Sequence, residues 1–485
     1  MKKPEILAPA GDFTCLQAAI DAGADAVYFG LGTFNMRARS GVNFKIEDLP
    51  EIARRCEIGS NRVGIGSDRV GIESDRVGVE SRRGESVMDP KAPLRHYQKD
   101  PVRRYLTLNA IMFEGEIAEV EKTIIAAKPY VDAFIVSDWG VISLCKKHNV
   151  RFHVSTQMST SNSEAVRFLA AQGAERVVLA RECTLAEVSA IVEKVEKWKS
   201  GKVEWGKGGK AEEEERDAVP LFQPSTFQTP EIECFVHGAQ CVAESGRCFM
   251  SHDVFAKSAC RGECKQPCRR RFLVKAVDLY EDDEGNPVHE SDTAFVVEPH
   301  TVLSAKDLCS LGFVDKLMAA GIASFKIEGR ARNANYVKTV VSAYRRAVDA
   351  VADGTYTPEL VTELTELVKT VFHREFADGL YFGRPGADQF TDSEDSMATT
   401  VKRHIGIVID YFLKVGIAQI KVQDHAIATG DAIQIHGPTT GVLELTAGDL
   451  YRDELKVEKC EKGDWITVKC PRCRVGDKVF FVEKR

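Results

Sequence analysis

The sequence predicts an α/β fold: a (β/α) TIM-like barrel followed by a small antiparallel β-barrel domain. Three observations predict it. Short apolar runs alternate with amphipathic stretches through most of the first 356 residues, the order that builds a parallel sheet from βα units. About eight such units can be counted, which suits closure better than an open doubly wound sheet. From about His404 the texture changes to short β-type runs joined by Gly-Asp turns, the pattern of a small antiparallel barrel.

Taken in order, EILAP at 5–9 is a strand, 13–22 a helix, and DAVYFG at 25–30 a second strand. Further strands are expected at 105–112, 132–137, 151–156, 176–180 and 232–237, with helical patterns such as EAVRFLAAQG at 164–173 between them. SFKIE at 324–328 leads into a helix over 334–353. No GxGxxG follows the first strand, which argues against a dinucleotide-binding sheet. The expected domains are a barrel over 1–356, a connecting helical segment over 357–403 and the β-barrel over 404–485.

Two insertions, at 58–104 and 194–230, interrupt the barrel pattern. The first repeats GSNRVGI, GSDRVGI and ESDRVGV over 59–79. Each unit holds only two apolar residues and Gly and Ser recur, so a surface loop is expected, not a coiled coil. The second carries KSGKVEWGKGGKAEEEER, whose charge and glycine content again predict a loop.

Of the 485 residues, 44% are hydrophobic and 28% charged, as in globular proteins with real cores. The net charge of −7 excludes a molecule that is basic throughout, so any RNA-binding surface must be a local patch. The opening MKKPEILAPAGD breaks a signal-peptide core, and no apolar run approaches the ~20 residues of a membrane span. A cytoplasmic protein with no membrane contact is expected. In a reducing compartment, clustered members of its 14 cysteines are better read as metal ligands or reactive thiols than as disulfides.

The densest cluster is Cys234, Cys241, Cys248, Cys260, Cys264 and Cys268. Thiolates select zinc or iron–sulfur clusters. No CxxC pair and no histidine at finger spacing occur in this stretch, which disfavours a zinc ribbon. Four irregularly spaced cysteines suit a 4Fe–4S cluster, and buried free thiols are the plain alternative.

The same stretch resembles peptidase family U32, the collagenase-like protease family. Its signature E-x-F-x2-G-S/A-x-C-x4-G-x-C-x-L/I/V/M-S is met at Glu233, Phe235, Gly238, Ala239, Cys241, Gly246, Cys248, Met250 and Ser251, with Gln240 where an aliphatic residue is usual. PEILAPAGD, DAVYFGLGTFNMRA, SAKDLC and GIASFKIEGR are also similar to family segments. The resemblance implies a cluster on C-x6-C-x15-C-x(30–45)-C, here Cys241, Cys248, Cys264 and Cys309, with Cys260 and Cys268 competing for the third place. In layout the chain is similar to the prephenate-dependent tRNA uridine 5-hydroxylation branch, which implies tRNA as partner and prephenate as cosubstrate. A collagenase-like peptidase and a non-catalytic iron–sulfur accessory protein are the alternative functions. Against the peptidase, neither GxSxG nor HExxH occurs.

Arg261, Lys265, Arg269, Arg270 and Arg271 lie beside these cysteines and are candidates for RNA phosphate or an anionic cosubstrate; a solvated charge run is the alternative. Lys326, Glu328 and Arg330 alternate along a strand end, where a (β/α) barrel builds its active site, so they and His153 are the catalytic candidates; an internal ion pair is the alternative for the three charges. Tyr28, Asn35, Arg37, Asn109, Thr156 and Gln157 fall at other strand ends and could line the same mouth, although for any one of them taken singly a satisfied core polar residue is the nearer reading. Cys460, Cys470 and Cys473 form C-x9-C-x2-C near the C-terminus, which could be half of a zinc site if His436 serves as the missing ligand, with plain free thiols the nearer reading.

Overall fold

The structure is a computed structural model. It describes residues 2–32, 34–38, 43–59, 100–199, 229–270, 303–383, 389–391, 393 and 395–485, with four short strand fragments between 274 and 295. The repeat after Gly59, residues 200–228 of the second insertion and Arg271 lie outside the described residues.

Eight parallel strands close into a barrel. Seven come in chain order: β1 (Glu5–Pro9), β2 (Ala26–Gly30), β3 (Arg103–Leu108), β4 (Ala133–Val136), β5 (Phe152–Val154), β6 (Arg176–Val178) and β7 (Glu231–Gly238). The eighth, Ser324–Ile327, pairs with β1 through Glu5↔Ser324 and with β7 through Ser324↔Glu233, which shuts the ring. β2 and β4 are buried along their whole length, as expected of strands covered on both faces. Beyond the point where β6 stops, a strand over Asp307–Cys309 runs antiparallel on the same edge of β7, with Cys309 opposite His237.

The helices α1 (Phe13–Asp21), α2 (Leu49–Gly59), α3 (Ile117–Ala127), α4 (Trp139–Lys147), α5 (Ser163–Ala171) and α6 (Leu185–Lys199) fill the connections. Their starts are written locally: Asp12, Asp138 and Asn162 accept backbone N–H groups of the first turns of α1, α4 and α5. The longest helix, Ala334–Asp353, is capped by Asn333 and ends at Gly354, whose φ of 72° is the left-handed conformation glycine adopts at little cost.

The lower barrel is filled by charge as well as by Leu7, Tyr28, Tyr105 and Ile135. Arg176, 2% exposed, bonds Glu5, Glu231 at 2.6 Å and Glu233 at 3.1 Å. Such burial is tolerable only because every charge finds a partner.

Helix Pro358–Lys369 packs on Ala334–Asp353, and Phe376–Ala377 adds to the strand Asp307–Cys309. The C-terminal sheet begins at Thr400, earlier than the texture change at His404. It has eight antiparallel strands and its own core of Ile405, Val408, Ile420, Ile435, Ile466 and their neighbours. It docks on α1 and on the helix Ala334–Asp353. Lys338 Nζ bonds Glu444 at 2.8 Å, and Gln434 Nε2 donates to Asn335 Oδ1 at 3.0 Å. Gly441, φ 68°, sits in this contact; a Cβ there would stand 2.8 Å from Asp21.

Candidate functional site

A cavity of about 180 Å³ opens at the C-terminal end of the barrel strands. That is the end at which (β/α) barrels gather residues from several strands. Its floor is built from strand ends: Tyr28, Thr107, Asn109, Ser155–Gln157, Phe235, Lys326, Glu328 and Arg330. Its roof is the cysteine loop after β7, which contributes Cys241, Cys248, Cys264 and Cys268.

Several contacts pin the roof to the barrel. Arg261 bonds Glu116 at 2.7 Å and lies 4.3 Å from the Phe113 ring centroid. The Ile111 N–H donates to the Cys260 carbonyl at 3.3 Å. Gly262 has φ 79°, and a Cβ there would clash with the Asn35 carbonyl, so only glycine lets the loop lie so close on 35–38. Arg269, 8% exposed, donates to Ser304 Oγ at 3.0 Å, to the Gln240 carbonyl at 2.6 Å and to the Ala305 carbonyl.

The basic run therefore divides. Arg269 is a buried clamp and Arg261 a half-buried one, both engaged within the chain, which corrects the expectation that they form a binding surface with the rest. Their acceptors are a glutamate, main-chain carbonyls and a serine hydroxyl. Lys265 and Arg270 are exposed, with Arg270 5.1 Å from the Phe255 ring centroid.

The cysteines also divide. Cys241, Cys248, Cys264 and Cys268 share the cavity. The Met250 N–H donates to Cys248 Sγ at 3.4 Å and the Gln266 N–H to Cys264 Sγ at 3.4 Å. The Ser251 hydroxyl reaches Cys264 Sγ at 3.8 Å. Cys241 is exposed at the rim, and partial loss of water around its sulfur pushes the thiol up, against the Ala243 N–H and Arg181. Cys309, expected as the fourth ligand, does not line this cavity. It is buried beside Tyr344, and burial pushes its thiol up to about 11. The fourth thiol of the cavity is Cys268, which sequence spacing had placed only as a competitor for the third position. Cys260 does not line it either.

Among the described residues no three His, Cys, Asp or Glu side chains are drawn into a shell around one ion. The four thiols nevertheless match the donor set of an iron–sulfur cluster in number and softness. Arg37, Arg181 and Arg269 line the same cavity as the four thiols, which suits a group of net negative charge.

Of the catalytic candidates, Lys326, Glu328 and Arg330 meet in the floor. Lys326 Nζ bonds Glu233 at 2.8 Å, and burial pulls its ammonium down against that pairing. Glu328 bonds Arg37 at 2.9 Å; burial raises its carboxyl, but Arg37, Arg332 and Arg181 outweigh it and hold it below the usual range. Arg330, 6% exposed, donates to Thr107 Oγ1 at 3.0 Å, and burial lowers it to about 10. His153 is not brought to the cavity. It lies deeper in the barrel, 4.6 Å from the Tyr105 ring centroid. Its Nδ1 has no hydrogen-bond partner among the described residues, and burial and Arg176 lower its proton affinity well below normal.

Tyr28, Arg37, Asn109, Thr156 and Gln157 line the mouth rather than the closed core. Asn35 is buried beneath it, its Oδ1 accepting the Arg37 N–H at 3.0 Å. Arg181 and Glu182 were missed. Arg181 donates to the Ala239 carbonyl at 2.6 Å and stacks 3.9 Å from the Phe235 ring centroid; Glu182 accepts from the Ser245 N–H at 2.6 Å. Their position just after the sixth strand is the signal that could have found them.

Fold and site define a (β/α)-barrel protein whose mouth is roofed by a four-cysteine loop. The model described as "Peptidase family U32" matches residues 11–68, 90–204 and 223–391, and the chain belongs to that family. It is 34% identical to a Porphyromonas gingivalis protein named collagenase, over 99% of this chain and 98% of the relative. It is 30% identical to tRNA hydroxylation protein P1 of Bacillus subtilis, over 90% and 84%. It is 28% identical to the 23S rRNA 5-hydroxycytidine C2501 synthase of Escherichia coli, over 92% of this chain but 56% of that protein. Among the described residues no helix is long and apolar enough to cross a membrane.

Proposed function

We propose that this chain is an RNA-modifying enzyme that hydroxylates a tRNA uridine to 5-hydroxyuridine, with a 4Fe–4S cluster on Cys241, Cys248, Cys264 and Cys268. The observation that carries the reading is the meeting of four thiols with Lys326, Glu328 and Arg330 in one barrel-mouth cavity. The names of two relatives, which modify tRNA and ribosomal RNA by hydroxylation, favour the same chemistry.

When bound, the cluster would supply one-electron chemistry. The protein's own groups would do the rest. Arg181 and Arg330 offer guanidinium donors to an anionic cosubstrate, for which prephenate is the candidate by resemblance. Tyr28 and Phe235 add apolar ring atoms to the cavity wall, with Arg181 and Lys326 lying over their faces. Lys265 and Arg270, exposed on the roof, would meet RNA phosphate.

The test is nucleoside mass spectrometry of tRNA from a strain lacking the gene. Loss of 5-hydroxyuridine, restored by the intact gene and not by the Cys264→Ala variant, is the expected result; an unchanged nucleoside profile would sink the reading. The 34% relative named collagenase favours a second reading, a peptidase acting on collagen-like substrates. Gelatin cleavage by purified protein, with no effect on tRNA, would establish that reading instead.

A further inference from the structure

The thiols of the C-terminal sheet play no part in the barrel mouth. Cys470 follows the strand Trp465–Lys469, and the turn Cys470-Pro471-Arg472-Cys473 leads towards the strand Lys478–Lys484. The two sulfurs lie 3.9 Å apart, at the edge of the C-terminal core, while Pro471 and Arg472 between them are exposed. The turn is pinned at both ends. The Cys470 N–H donates to the Gly416 carbonyl at 2.9 Å, the Tyr411 hydroxyl to the Cys470 carbonyl at 3.2 Å, and Arg474 Nη1 to the Cys473 carbonyl at 3.0 Å.

A zinc site is poorly served here. Among the described residues no third His, Cys, Asp or Glu joins the pair in a metal shell. His436, the sequence's candidate for the missing ligand, bonds Gln434 at 2.9 Å and lies 4.9 Å from the Phe480 ring centroid. Two adjacent thiols without a metal shell have one characteristic reaction, closure to a disulfide.

We propose that Cys470 and Cys473 form a thiol–disulfide exchange site that reacts with low-molecular-weight disulfides such as glutathione disulfide. Closure requires the sulfurs to approach from 3.9 Å to about 2 Å, a movement of side chains in a turn whose backbone is already held. Cys470 is the attacking thiol. It is the more exposed of the two, at 6% against 1%, and the Cys473 S–H lies within reach to donate to its thiolate. Its thiolate attacks one sulfur of the small disulfide, forming a mixed disulfide and releasing one thiolate. Cys473, giving up its proton, then attacks the Cys470 sulfur and releases the second. The protein loses two protons and two electrons; the small disulfide gains both and leaves as two thiols.

The test uses the full chain, incubated with glutathione disulfide, denatured, alkylated and mapped by mass spectrometry. The peptide holding both cysteines should carry an internal disulfide, with its closed form about tenfold above its alkylated form, and glutathione should reopen it. Cys473→Ser should trap glutathione on Cys470, and Cys470→Ser should leave Cys473 unreacted. A wild-type pair that stays fully alkylatable at every glutathione ratio would overturn the proposal. So would one zinc per chain that is lost on Cys473→Ser, or equal trapping by the two single variants. The wild-type mapping decides the matter even if a variant fails to fold.

Discussion

Lys326 Nζ and Glu233 Oε1 stand 2.8 Å apart inside the barrel, both side chains almost wholly shielded from water. Glu233 also bonds Arg176, at 3.1 Å, so one carboxylate neutralises cations in two layers, and Lys326 has only this carboxylate among the described residues. Loss of the two partners should therefore be unequal. Glu233→Gln strands a buried ammonium and should cost about 3–5 kcal/mol. Lys326→Met leaves Glu233 paired with Arg176 and should cost about 1–3 kcal/mol. Urea unfolding of the two variants checks the order; a larger loss for Lys326→Met would contradict it.

Buried His153, His237 and His373, together with half-buried His436, make the protein acid-labile. Burial lowers His237 from the usual 6.5 to about 3 and His436 to about 3, and moves His153 the same way. Below pH 6.5 the unfolded chain takes up protons that the folded chain refuses. The stabilisation is thus fully present above 6.5 and lost as pH falls towards 3, by up to about 1.4 kcal/mol per pH unit for each histidine. His237→Gln should flatten the fall in unfolding free energy between pH 6.5 and about 4.5, above the main carboxylate range. An unchanged slope would mean that His237 is protonated in the folded protein.

The barrel and its floor were legible because local rules govern them. Alternation puts Lys326 and Glu328 on one side of a strand, and the strand-end rule puts Arg330 at the mouth. The same rules misjudged His153: it points inward as alternation requires, but a layer below the cavity. The roof was less legible because distant chain decides it. Arg269 is buried by Ser304 and Ala305, more than thirty positions away, so its charge run reads as surface from the sequence. Cys309 fits the spacing rule, yet its strand packs against Tyr344 of the helix Ala334–Asp353 and leaves the cavity to Cys268.

That division of the arginines changes how RNA binding should be probed. Replacing Lys265 and Arg270 by Glu should weaken tRNA binding and lower the salt slope by about 1 for each phosphate no longer neutralised, with the fold intact. Arg269→Ala should instead destabilise the protein by about 1–3 kcal/mol, because buried Ser304 and two half-buried carbonyls lose their donor. Filter binding across a salt series, together with thermal unfolding, separates the two effects. If Arg269→Ala weakened RNA binding without any loss of stability, the clamp assignment would fail.

The cluster itself turns on Cys268 against Cys309. Anaerobically prepared protein should be brown and hold about four irons per chain. Cys241→Ala, Cys248→Ala, Cys264→Ala and Cys268→Ala should each lose most of the iron, whereas Cys309→Ala should keep it. Cys309→Ala should still cost stability through the small void left beside Tyr344, by about 1 kcal/mol. Iron analysis and unfolding therefore give opposite patterns for the two residues. Retained iron in Cys268→Ala with loss in Cys309→Ala would restore the ligand set that spacing implied, and would require the strand Asp307–Cys309 to turn its cysteine towards the cavity. Colourless protein with stoichiometric zinc would remove the iron–sulfur reading altogether, and the gelatin assay would then decide between an RNA enzyme and a peptidase.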